Sequence, residues 1–221
     1  MSLSLPTGQH LFDGPEGVIE VLVDAPLVSP LVGLVILAHP QPLLGGSAQH
    51  KVPHFLAKSL AEIGWLVVRP NFRGVGRSSG EHDAGDGETR DLLWLTTLLR
   101  RQAPELPLVL LGVSFGAFVQ ARVAHALQTA GDPACRVILA SMPWGEVEGG
   151  RTYDTPQGIA NAKVIHGEMD ERVPLKAVFD WARPTSQPVC VLTGADHLFS
   201  GKLQHLRAFV FDAIGHPLSN F

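Results

Sequence analysis

From Val32 onward, short unbroken apolar runs alternate with longer amphipathic stretches, and this alternation constrains the fold more than any other feature of the chain. The runs read as strands are Gly17 to Val23, Val32 to Ala38, Trp65 to Arg69, Leu108 to Leu111, Arg136 to Ala140, Lys163 to Ile165 and Val189 to Leu192. Each is rich in Val, Ile and Leu, as expected of a strand buried on both faces. The helix-like stretches are Pro53 to Ile63, Glu88 to Arg101, Phe115 to Thr129, Leu175 to Ala182 and Leu203 to Ala213. In the second, Leu92, Leu95, Leu98 and Leu99 form one apolar stripe. The alternation implies βαβ crossovers, hence an α/β fold with a mostly parallel sheet and helices on both faces. The first strand, preceding any helix, is expected to be an antiparallel edge. At 221 residues, the chain 1–221 is read as one domain.

Composition narrows the function. Hydrophobic residues make up 45% and charged residues 17%, enough apolar surface for a core. Net charge is -4, and the longest basic run is Arg100-Arg101, so no stripe exists to neutralise phosphates and nucleic acid is not an expected partner. The apolar stretches Leu27 to Ala38 and Leu106 to Val119 are short and broken by Ser29, Pro30, Gly33 and Gly112, so no membrane span is expected. Met1 to Thr7 lacks the charge and apolar core of a signal peptide. Cys135 and Cys190 lie in apolar runs and are read as reduced, buried strand residues. The expected location is cytoplasmic.

In a parallel sheet, ligands bind beyond the carboxyl ends of the strands, so chemistry is sought in the loops there. Gly112-Val113-Ser114-Phe115-Gly116 fits G-x-S-x-G, with a strand running in and a helix running out. So sharp a turn raises the serine Oγ above the sheet edge and needs small residues two before and two after. Gly112 and Gly116 supply these. The hydroxyl then needs a base. His197, in Gly194-Ala195-Asp196-His197, follows the strand Val189 to Leu192 and is the best placed of ten histidines. A third group must orient the imidazole. Asp170, in the loop after Lys163 to Ile165, gives the chain order Ser, acid, His; Glu168, Glu171 and Asp196 are the rival acids.

Acyl transfer also needs donors for a developing oxyanion. One is expected from the N–H of Phe115. The other should come from His39-Pro40-Gln41-Pro42-Leu43-Leu44, where the prolines have no N–H and Gln41 is the nearest candidate, Leu43 the next. Gly74-Val75-Gly76 lacks the last glycine of a dinucleotide loop, since Ser79 stands there, and acidic residues follow. His50 and His54 are four apart, but Pro53 and the lack of a glutamate base speak against a zinc site. No metal or other cofactor is expected.

The His-Pro-x-Pro loop, Asn71-Phe72-Arg73-Gly74-Val75-Gly76-Arg77-Ser78, Gly112 to Gly116, His166-Gly167-x-x-Asp170 and Gly194 to His197 occur in order over about residues 15 to 212. In these motifs the chain resembles a small bacterial serine α/β-hydrolase family related to the dienelactone hydrolases, which themselves use a Cys nucleophile. The resemblance implies an eight-stranded core, a triad of Ser114, His197 and Asp170, and a second oxyanion donor at Gln41. Only Ser141 to Asn161 separate two successive core strands. That length holds a crossover and at most one short helix, so no cap domain is expected. Leu43, Leu44, Met142, Trp144, Phe115 and Phe199 are expected to line an open apolar site, and no Lys or Arg is evidently aimed at a substrate charge. The reading is a carboxylesterase acting on small or short-chain acyl esters, monomeric or homodimeric. A thioesterase or acyl transferase would use the same parts, and a non-catalytic ligand-binding module is the alternative outside enzymes.

Overall fold

The computed structural model describes residues 5–215. Residues 1–4, part of the segment read above for signal-peptide features, and residues 216–221 lie outside the described residues. The strands are β1 (Gly8–Gly14), β2 (Gly17–Asp24), β3 (Gly33–Ala38), β4 (Trp65–Pro70), β5 (Leu108–Val113), β6 (Arg136–Ala140), β7 (Gly145–Val147), β8 (Arg151–Tyr153), β9 (Ala162–Gly167) and β10 (Val189–Leu192). The helices are α1 (Lys51–Glu62), α2 (Asp86–Gln102), α3 (Phe115–Thr129), α4 (Leu175–Ala182) and α5 (Leu203–Ala213).

Eight strands form one sheet in the order β1-β2-β4-β3-β5-β6-β9-β10. β1 and β2 are antiparallel, β2 runs antiparallel to β4, and the remaining pairs are parallel. Side chains that alternate along a strand face opposite layers. In β3, Leu34 and Ile36 join the core that includes α2, α3 and α4, while Val35 and Leu37 join the core beneath α1 and α5. Both faces are covered, which is why these strands read as continuous apolar runs.

Three expectations need correction. The edge is β1, not the strand starting at Gly17: residues 8–14 carry little apolar content because their pattern is half exposed. The connection from β6 to β9 is as short as expected and uses no helix. It folds into the β7–β8 hairpin, closed at Gly149 and Gly150, both with positive φ. Both cysteines are exposed. Cys135 precedes β6 at its start, and Cys190 lies on β10, an edge strand with β9 as its one sheet neighbour. Finally, the apolar residues expected around the site are mostly core, as described below. No cap domain covers the sheet edge, and among the described residues no helix is long and apolar enough to cross a membrane.

Candidate active site

The turn from β5 into α3 places Ser114 at φ 56°, ψ -124°, a region costly for a side-chain-bearing residue. Packing enforces it. A Cβ on Gly112 would lie 2.5 Å from Ala117 Cα and press on Gly116 O; one on Gly116 would lie 2.5 Å from His39 O and press on Ala38 O. Strand, helix and the end of β3 therefore meet backbone to backbone. The Ser114 N–H donates to Ala140 O at 2.8 Å, anchoring the turn to β6.

The Ser114 Oγ lies 2.8 Å from His197 Nε2, and His197 Nδ1 lies 2.7 Å from Asp170 Oδ2. All three residues are buried. The other oxygen of Asp170 accepts the N–H groups of Arg172 (3.0 Å) and Val173 (2.9 Å), which fixes the carboxylate plane. The Ser141 hydroxyl donates to the His197 carbonyl at 2.8 Å and holds the backbone of the histidine. The rival acids are engaged elsewhere or turned to solvent. Glu168 accepts from the Gly194 N–H, Asp196 accepts from Leu198 and Ser200, and Glu171 is exposed.

His166 is a fully buried neighbour that sequence reasoning left unassigned. Its Nε2 lies 2.9 Å from Val173 O and 3.3 Å from Asp170 Oδ2. Burial lowers its pKa, against the pull of Asp170, so it is neutral near pH 7. With Nε2–H as the donor, Asp170 receives a further polar contact.

On the other side of Ser114, the Pro42–Leu44 turn begins at Gln41. No acceptor among the described residues takes the N–H of Gln41 or of Phe115. The loop is held by His39, wholly buried beneath it. His39 Nδ1 lies 2.7 Å from Pro40 O, and its Nε2 accepts the Phe72 N–H at 3.0 Å. This pairing sets the Nδ1–H tautomer. Burial pushes the His39 pKa down to about 3, so the ring is neutral. The Gln41 amide donates to the Tyr153 hydroxyl at 3.2 Å, linking the loop to the β7–β8 hairpin.

The cleft at Ser114 spans about 480 Å³, open solvent at its mouth included. Leu44 lines it, but Leu43 is 67% exposed and points away. Met142 and Phe115 are buried in the core with α2 and α3, and Phe199 in the core with α1 and α5. Trp144 packs against the first of these cores. Met142, Phe115 and Phe199 are consumed by the core, so the apolar part of the wall comes from Leu44, Pro143, Val147, Val173 and Leu198. Gln41, His50, Arg151, Tyr153 and Arg172 form much of the rest. Two arginines at the site contradict the expectation of none. Their side-chain direction depends on the hairpin and the 170s turn, which carry no periodic signal. The Gly74 loop is structural: Asn71 Nδ2 and the Arg77 N–H donate to buried Glu20, and Arg73 pairs with Asp91 and Glu16.

Comparison with known proteins gives concordant results. A family described as "Serine aminopeptidase, S33" matches residues 43–180. An uncharacterized protein of Rickettsia prowazekii is 30% identical over 225 residues, covering 96% of this chain and 91% of that protein. A lidless α/β serine hydrolase from Xanthomonas campestris superposes with a TM-score of 0.84 at 34% identity, covering 100% of this chain and 99% of the other. An α/β serine hydrolase homologue from Coxiella burnetii gives 0.82 at 33% identity, covering 96% and 99%.

Proposed function

The chain belongs to the family described as serine aminopeptidase S33 and has the fold of a lidless α/β serine hydrolase, and from that premise we propose that it cleaves small carboxylic esters through an acyl-enzyme on Ser114. The observation that carries this reading is the unbroken contact chain from Ser114 Oγ through His197 to Asp170, beside two uncommitted backbone N–H groups. His197 Nε2 takes the hydroxyl proton as Oγ attacks the ester carbonyl. Asp170 holds the Nδ1–H tautomer and stabilises the imidazolium. The N–H groups of Phe115 and Gln41 receive the oxyanion, and the start of α3 adds a favourable dipole. His197 then protonates the departing alcohol. Water, activated by the same imidazole, attacks the acyl-enzyme and releases the acid.

Residues 1–221 act in this reading as one catalytic domain in the cytoplasm, monomeric or dimeric, using protein groups alone for the chemistry. Short acyl groups are the proposed substrates, and the lack of a lid favours an open site without interfacial activation. A thioester or an acyl acceptor other than water would use the same parts. The test is hydrolysis of 4-nitrophenyl acetate and butyrate by wild type and Ser114→Ala. Loss of roughly 10³-fold or more in the folded variant supports the proposal. A variant that hydrolyses them as fast as wild type defeats it.

A further inference from the structure

Arg151 and Arg172 both face the cleft that holds Ser114 and His197, and no Asp or Glu lines that cleft. The two are fixed relative to one another. The Glu148 N–H in the hairpin turn donates to Arg172 O at 3.1 Å, and Arg151 Nη2 donates to the Glu148 carbonyl at 3.0 Å. The Arg172 backbone is itself held by Asp170 Oδ1. One backbone bracket thus joins the hairpin arginine, the turn arginine and the residue that contacts His197.

The charges of both arginines are left largely unneutralised. Among the described residues no carboxylate pairs with Arg151. Arg172 Nε is 3.9 Å from Glu148 Oε2, with the two side chains 44% and 63% exposed, a weak and solvent-screened pair. Glu148, Glu171 and Asp196 line the neighbouring groove, which shares Arg172, His197 and Leu198 with the cleft. The field of Arg172 reaches the start of α1, where His50 is held below its usual pKa by burial and then by that charge.

Two arginines in the lining of the nucleophile's cleft, with no carboxylate in that lining, match an anion on the substrate. The planar fork of arginine suits a carboxylate in particular. We infer that the cleft selects esters bearing a carboxylate away from the scissile carbonyl, with Arg151 and Arg172 as the specificity-determining pair. This inference rests on the hydrolase reading above. The carboxylate takes no part in bond breaking. It orients the ester, and the cleavage remains the addition of water across the acyl–oxygen bond.

The test compares matched esters on the full chain. One pair places the charge on the acyl side, 4-nitrophenyl hemiadipate against 4-nitrophenyl hexanoate. The other places it on the alcohol side, 4-acetoxybenzoate against 4-acetoxybenzamide. In one of the two pairs wild type should prefer the anionic ester by about tenfold in kcat/KM at low salt, the scale of one or two charge-assisted hydrogen bonds. The pair that shows it identifies the side recognised. The ratio should fall toward one in the Arg151→Gln/Arg172→Gln variant and at about 0.5 M salt. A ratio at or below one in both pairs, or a preference that survives the folded double variant, overturns the inference while leaving the hydrolase reading intact. If wild type cleaves no ester faster than Ser114→Ala, the hydrolase reading fails. Calorimetric titration of Ser114→Ala with both matched pairs then decides the inference alone. Tighter binding of the anionic member of one pair, lost with the arginines, upholds it, and equal binding within both pairs overturns it.

Discussion

Replacing Gly116 with Ala tests whether the close approach of α3 to the end of β3 sets the reaction geometry. The added Cβ would sit 2.5 Å from His39 O, whereas ordinary contact begins at 3.4 Å, so the backbones must part by about 3.4 − 2.5 = 0.9 Å. The three atoms it meets, Ala38 O, Ala38 C and His39 O, are all backbone and cannot rotate away. The displaced segment leads directly into Gln41, and the helix carries Phe115, so the two N–H groups move apart. Overpacking of this kind costs about 1–3 kcal/mol of stability, within what a domain of this size tolerates. Mispositioning one oxyanion donor costs about 10²–10³ in kcat. The expected result is therefore a modest fall in Tm with a hundredfold or greater fall in kcat for 4-nitrophenyl butyrate. The assay is thermal unfolding and steady-state kinetics on the same preparation. A folded variant with kcat within about threefold of wild type would refute the reasoning, because donor placement would then not depend on this contact.

Three further outcomes follow from the same structure. Asp170→Asn should leave the protein folded but lower kcat by on the order of 10³–10⁴, because the amide supports the wrong imidazole tautomer; a loss below tenfold would remove Asp170 from the role proposed for it. Tyr153→Phe removes the hydroxyl that accepts from Gln41, a bond worth about 0.5–1.5 kcal/mol, so kcat should fall roughly two- to tenfold with KM little changed. An effect confined to KM would place Tyr153 against substrate instead. His39 is buried neutral with its pKa down at about 3, so the unfolded chain takes up a proton below about pH 6.5 that the folded chain does not. Its share of stability is therefore complete above pH 6.5 and is lost as pH falls toward 3. Denaturant unfolding should show the stability gap between wild type and His39→Asn narrowing by about 1.4 kcal/mol per pH unit over that window. A constant gap would mean His39 is protonated in the fold.

The parts of this molecule that could be read from sequence are those where local chemistry and periodicity agree. β5, the G-x-S-x-G turn and α3 are contiguous, so the position of Ser114 above the sheet edge is a local property of residues 108–129. That Asp170 and His197 approach it follows from the parallel order of β9 and β10, since both loops leave the same edge. The lining of the cleft was not legible. Met142 sits just past the end of β6 and Phe199 in the loop between β10 and α5, at positions where the backbone turns: Ser141 and Phe199 both have positive φ. Such turns send the side chain into a core layer rather than over the edge. Arg151 is aimed by a hairpin whose strands are three residues each, too short for any alternation to register. Arg172 is aimed by the hydrogen bonds of its own backbone to Asp170. Cys190 illustrates the opposite error, an apolar strand residue exposed because β10 has one sheet neighbour and an incompletely covered face.

Covalent capture reports whether Ser114 is an activated nucleophile. Wild type and Ser114→Ala are treated with a fluorophosphonate and their intact masses compared. A single phosphonyl adduct is expected on wild type, mapped to Ser114 by peptide sequencing and absent from the variant. An unmodified wild-type mass on folded protein, or an adduct that persists in Ser114→Ala, would contradict that assignment.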